Sequence, residues 1–435
     1  MNGLTKELAA FTVGERRGRV EESVGTVLRV SLPDVQVGEI CRVQRMTGGA
    51  IDAEVVGFDR RDALLMPLGA MDGIAAGATV TPLMTVAKVP CGAAVEGRVI
   101  DALGRPLDGR GPLSAGEWAP LSSPAPSPLQ RKRVAEVVPT GVRAIDSMLT
   151  LGKGQRVGLF AAAGVGKSTL LSTLARQVQA DRVVIALIGE RGREVRGFLE
   201  DDLDAEARAR ATIVVSTSDE PALLRLRAAY AATAIAEAAR ARGEHVLLLM
   251  DSLTRFARAL REVALAAGEP PGRQGFPASV FATLPRLLER AGTDDRGAIT
   301  AMYTVLVAGD DLEEPVADEA ISLLDGHIVL SRQLADQRIF PAIDVARSRS
   351  RLMRALVDRQ HWDDASVAAR VLDLYARNED RIRADAFRAT AAEGRLLAAR
   401  PELMKYLYPE GSDCTPMTVT RDWLHRFAAP LRGAP

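Results

Sequence analysis

At 435 residues the chain is long enough for two or three domains with a substantial core, and its 56 basic residues balance 56 acidic ones. That parity gives no global field for nucleic acid or an anionic membrane, and no apolar run approaches the ~20 residues of a membrane-spanning helix. Three distant cysteines (Cys41, Cys91, Cys414) exclude a disulfide framework and fit a reducing compartment. Four histidines (His245, His327, His361, His425) share no ligand spacing with them, so no zinc site is expected. The opening residues lack an apolar core of signal-peptide length, and the chain is expected to be cytoplasmic.

Residues 1–20 are polar, with Arg16, Arg17 and Arg19, and read as a mobile arm that is either a frayed terminus or a docking element. From Val24 to Leu83 the segments GTVLRVSL, EICRVQRM, AIDAEVVGF and ALLMPLG carry β-branched or apolar clusters separated by turn residues. Short strands at such spacing predict a small barrel or sandwich. A Pro/Ser-rich piece, Pro120–Gln130, reads as an extended surface connection.

From Val89 to about Arg349 strands and helices alternate. The expected strands are Arg156–Phe160, Arg182–Ile188, Ala211–Ser216, His245–Met250, Ile299–Val307 and His327–Ser331, with a long helix over Ala222–Arg242. Several of these strands are continuous apolar runs, as parallel strands covered on both faces should be. The alternation predicts a doubly wound sheet with its ligand at the carboxyl ends of the strands. Beyond Arg351 the chain turns helical: Val367, Val371, Leu374 and Tyr375 share one face, and Asp363 or Asp364 is the expected cap.

The sequence RVGLFAAAGVGKSTLL (Arg156–Leu171) runs from an apolar strand through a small-residue loop into a helix start. That is the layout of a phosphate-binding loop. Ala162, Ala163, Gly164, Val165 and Gly166 would wrap backbone N–H groups around phosphates, with Lys167, Ser168 and Thr169 opening the helix. Lys167 reaches the terminal phosphates, and the Ser168 hydroxyl completes a Mg2+ shell. Asp251, at the end of an apolar strand, suits orientation of the metal, or else caps the following helix. Glu190 ends another such strand. Its carboxylate can take a proton from an attacking water, or pair with Arg191 or Arg193. Among Arg347, Arg349, Arg351 and Arg354, no arginine stands out from the residues alone.

PAIDVARSRSR (Pro341–Arg351) fits a signature of the ATP synthase α/β superfamily, and GERGREV (Gly189–Val195) resembles its catalytic Gly-Glu-Arg segment. Within it, PTGVRAIDSMLTLGKGQRVGLFA, LAAGEPPGRQGFPASVFATLPRLLERAG and ADEAISLLDGHIVLSR resemble the type III secretion ATPases, flagellar export ATPases included. GTVLRVSLPDVQVGEICRV is more similar to the injectisome type than to the flagellar one. The resemblance implies an α/β fold: a RecA-like P-loop nucleotide domain (88–355) between an N-terminal arm and β-barrel (1–87) and a C-terminal helical domain (356–435). It implies an ATP hydrolase that powers type III protein secretion, releasing chaperones and unfolding export substrates. By position, Glu190 would be the catalytic carboxylate, Glu194 a supporting metal-shell acid and Asp251 the metal-orienting acid. Arg351 would be an arginine finger reaching into a neighbour's site, and Phe340 would stack on adenine. A homohexamer is implied, with stator, central stalk, chaperone–effector complexes and an inner-membrane export gate as partners, and no nucleic acid. Three residues depart from the pattern: Ala162 replaces a glycine, Ala308 a glutamate and Ile321 an arginine. From about Arg377 the chain diverges from the usual ending. A catalytically silent ring component and a nucleic-acid translocase are the competing readings; retention of Lys167, Glu190, Asp251 and Arg351, and an aromatic content of 4%, argue against them.

Overall fold

A computed structural model of the chain describes residues 16–85, 87–114, 116–309, 311–411 and 414–432. The first 15 residues of the expected arm lie outside these. Gly18, by contrast, already opens a strand, so the end of the expected arm is part of the fold.

Six strands close the N-terminal barrel: Gly18–Val24, Val27–Ser31, Ile40–Gln44, Ala50–Asp59, Asp62–Pro67 and Thr79–Pro82. Residues that alternate along them turn Val20, Leu28, Val30, Cys41, Val43, Ala53, Val55, Ala63, Leu65 and Val80 inward to a separate core. Gly18–Val24 and Thr79–Pro82 pair with each other and complete the closure. The buried Arg227 guanidinium donates to Glu54 at 2.8 Å and ties the barrel to the domain that follows.

That domain is built on a nine-stranded sheet. Its order is Arg349–Ser350, Gly326–Val329, Arg156–Ala161, Ala298–Leu306, His245–Asp251, Arg182–Glu190, Ala211–Thr217 and Val99–Asp101, with Gly292–Thr293 added beside Ala298–Leu306. All neighbours along the path are parallel except the Arg349–Ser350 edge. The expected strands are present with ends moved by one or two residues. Each is buried on both faces, between two large apolar clusters. The 20-residue helix Ala222–Ala241 lies against Arg182–Glu190 and His245–Asp251; its many alanines keep the helix surface thin enough for close packing. The chain leaves Arg156–Ala161, crosses over two strands to Arg182–Glu190 and later returns beside its start. This crossing leaves a crevice where strands 156–161, 245–251 and 182–190 end.

Among the described residues, three α-helices follow: Arg359–Arg383, Ala391–Leu407 and Met417–Ala428. Asp358, rather than Asp363 or Asp364, caps the first, accepting from His361 N at 2.8 Å. Asp364 is instead buried inside that helix, paired with Arg432 and with His425 at 3.0 Å. The helices dock through His361 Nε2–H on the Ser147 carbonyl at 3.0 Å and Tyr408 Oη–H on the Ile343 carbonyl at 2.7 Å. Arg143 adds a 4.9 Å approach to the Tyr406 ring. Tyr406 in turn stacks on Trp423 with centroids 3.6 Å apart.

Candidate active site

The loop after strand Arg156–Ala161 turns twice through left-handed backbone, at Gly164 (φ 80°) and Gly166 (φ 89°). Only glycine takes these angles at no steric cost. Ala162 takes neither turn, so an alanine is accommodated there. Gly166 stands at the N-cap of helix Lys167–Gln177, whose first N–H groups have no partner within the helix and face the loop. A Cβ at Gly166 would sit 3.3 Å from two ring carbons of Phe340, so the half-exposed aromatic lies against the loop. Ala163, Gly164 and Thr169 are exposed, Gly166, Lys167 and Ser168 half-buried, and Ala162 and Val165 buried.

Three charged side chains meet beside this loop. The Lys167 ammonium bonds both Asp251 carboxylate oxygens and stands 3.4 Å from Glu190 Oε1. Asp251 is free for this because Ser252, not Asp251, caps helix Leu253–Ala266, accepting from Arg255 N at 3.2 Å. Asp251 Oδ1 also accepts from Thr304 Oγ1 at 2.7 Å.

Glu190 pairs with neither Arg191 nor Arg193; its cations are Lys167 and Arg255, the latter at 3.1 Å. Arg255 also donates to the Gly189 carbonyl. Burial pushes the Glu190 carboxyl up to about 7, against the pull of Lys167, and neighbouring Asp251 adds to the rise. Its proton is directed to Glu194, whose carboxyl is held below the usual range by accepting it. Glu194 also receives Arg191 at 3.4 Å. A carboxyl poised near neutrality at strand ends, beside a phosphate loop, is equipped to take a proton from a reacting water.

Arg255 and Thr304 are absent from the set read off the sequence. Arg255 had a legible signal: an arginine in the first turn of a helix opposes the dipole there and needs a nearby anion. Arg351 lies apart, exposed beyond edge strand Arg349–Ser350, and its guanidinium donates to the Ile321 carbonyl at 2.7 Å. Arg354 packs over Trp362 at 5.9 Å.

A RecA-type sheet carrying this loop and these strand-end carboxylates makes the chain a P-loop ATPase. Residues 141–350 match the nucleotide-binding domain of the ATP synthase α/β family. The type 3 secretion system ATPase of Xanthomonas euvesicatoria is 50% identical over 88% of this chain and 87% of its own length. The flagellum-specific ATP synthase of Bacillus subtilis is 46% identical over 92% of each. The assembled ATPase EscN of the enteropathogenic E. coli type III secretion system superposes with a TM-score of 0.89 at 39% identity, over 94% of this chain and all of that one (100%). The chain belongs to the type III secretion ATPases of the ATP synthase α/β family. Among the described residues, no helix is long and apolar enough to cross a membrane.

Proposed function

We propose that this chain hydrolyses magnesium-bound ATP in a homohexameric ring, and uses the energy to release chaperones from export cargo and unfold that cargo. The observation that carries the proposal is the meeting of Lys167, Asp251 and Glu190 at the mouth of the phosphate loop. When ATP enters, Lys167 moves from the two carboxylates to the β- and γ-phosphates. Glu190, steered by Arg255, accepts a proton from the attacking water. Phe340 stacks on adenine beside Gly166. Ser168 and Asp251, with Glu194 close by through Glu190, are the hard oxygen donors that magnesium takes, and the ammonium seated on Asp251 supports a cation at that carboxylate. Bound there, magnesium would neutralise charge on the terminal phosphates. Arg351, exposed and remote from its own cluster, serves the next copy's site, where an arginine finger is worth roughly 10³–10⁵ in rate.

The ring is supported by the assembled state of EscN, and a central stalk partner by the EscN–EscO complex. Stator proteins, chaperone–effector complexes and an export gate follow from the same assignment, with the ring peripheral at the inner membrane. Working units of 1–87, 88–355 and 356–435 follow the barrel, sheet and helices. The injectisome type is favoured by GTVLRVSLPDVQVGEICRV and by the Xanthomonas relative; the flagellar relative, nearly as similar, keeps flagellar export as the second reading. The test is ATP-dependent release of a chaperone from its cargo complex, with and without magnesium. Release by wild type and none by Lys167→Ala is expected; equal release by both would contradict the proposal.

A further inference from the structure

Thr304 lies on Ala298–Leu306, the strand between the phosphate-loop strand and the strand that ends in Asp251. It is fully buried and stands opposite Leu159 in register, one residue past the pairing of Tyr303 with Met250. On the same face of its strand lies Met302, part of an apolar cluster. A hydroxyl in such surroundings costs free energy unless it is bonded, and this one donates to Asp251 Oδ1 at 2.7 Å.

We propose that Thr304 is a positioning residue that fixes the Asp251 carboxylate for the magnesium nucleotide. The inference rests on the reading of this crevice as the ATP site. Asp251 is held by two partners, Lys167 and Thr304. Lys167 is a long, flexible chain that must leave for the phosphates. Thr304 is β-branched, stiff about its first torsion and anchored in the middle of a sheet. Once Lys167 has gone, the Thr304 hydroxyl is the bond that still holds Oδ1 and so sets where Oδ2 points. Two jobs therefore fall to different groups on one carboxylate: Lys167 balances its charge until nucleotide binds, and Thr304 keeps its direction afterwards.

The experiment uses the full chain with Thr304→Val, which keeps the shape and loses the donor, and Thr304→Ser, which keeps the donor. Affinity for a fluorescent ATP analogue is measured in EDTA and across a magnesium titration, with thermal melts to confirm folding. In EDTA all three proteins are expected to bind alike. In magnesium, wild type and Thr304→Ser gain affinity, whereas the gain of Thr304→Val falls by about tenfold or more, the usual weight of a hydrogen bond to a charged group. The magnesium concentration for half-maximal hydrolysis should rise with it. If Thr304→Val does not fold, Thr304→Ala should show the same selective loss. A valine or alanine variant that keeps the full magnesium gain overturns the proposal, as does equal weakening in EDTA, which marks a packing role. A wild-type protein with no magnesium gain at all would overturn the reading of the site itself.

Discussion

Glu190→Gln is expected to stabilise the empty protein while abolishing turnover. Burial of Glu190 displaces its carboxyl from an ordinary 4.5 to about 7 in the folded chain. Between those values the native state holds a proton that the unfolded chain has released. The stability from this group is therefore fully present below about pH 4.5 and is lost as pH rises through about 7. Each tenfold in proton affinity is worth about 1.4 kcal/mol, which bounds the cost of the native carboxylate at ~3 kcal/mol above neutrality. Glu194, held below its usual range by the same shared proton, offsets part of this. Glutamine keeps the shape, carries no charge and escapes the cost, as active-site replacements often do. The assay is thermal melting in EDTA without nucleotide from pH 5 to 8.5, beside ATP hydrolysis. The variant should melt a few degrees above wild type at pH 8, with the difference vanishing toward pH 5. A variant that melts at or below wild type at pH 8, or keeps a constant offset across the range, would refute the reasoning.

Lys167→Ala should eliminate hydrolysis and weaken nucleotide binding, because it removes the charge that would reach the β- and γ-phosphates; equilibrium binding and a phosphate-release assay check both. Gly166→Ala places a Cβ 3.3 Å from the Phe340 ring at a backbone angle of φ 89°, so ATP affinity should drop in a competition titration. Arg227→Ala leaves Glu54 facing the interdomain cleft without its cation and should cost about 3 kcal/mol, seen as an earlier unfolding transition and faster proteolysis between barrel and sheet.

The parts of the molecule legible in the sequence are those whose physics is local. Strands such as Val246–Met250 announce themselves because parallel strands buried on both faces read as unbroken apolar runs. The phosphate loop is legible because its left-handed turns demand Gly164 and Gly166 at fixed spacing from Lys167. Barrel strand Gly18–Val24 is hidden because most of its side chains face solvent, leaving only Gly18 and Val20 buried. Asp363 and Asp364 are adjacent to the apolar face of their helix and look like caps. Asp364 is instead drawn inside by Arg432 and His425, contributed from more than 60 residues away. Arg255 and Thr304 escape for a related reason: each finds its carboxylate across the sheet, 65 and 53 residues away in sequence. No window along the chain contains both partners.

The proposed active site is shared between copies of this chain and completed in trans by Arg351. Two inactive variants, Arg351→Ala and Lys167→Ala, are mixed before assembly and ATP turnover is measured against each alone. Some interfaces in the mixture join an intact Lys167 to an intact Arg351, so turnover should reappear while each variant alone stays silent. Hydrolysis by Arg351→Ala alone at the wild-type rate, or a mixture as inactive as its parts despite co-assembly by native mass, would contradict it.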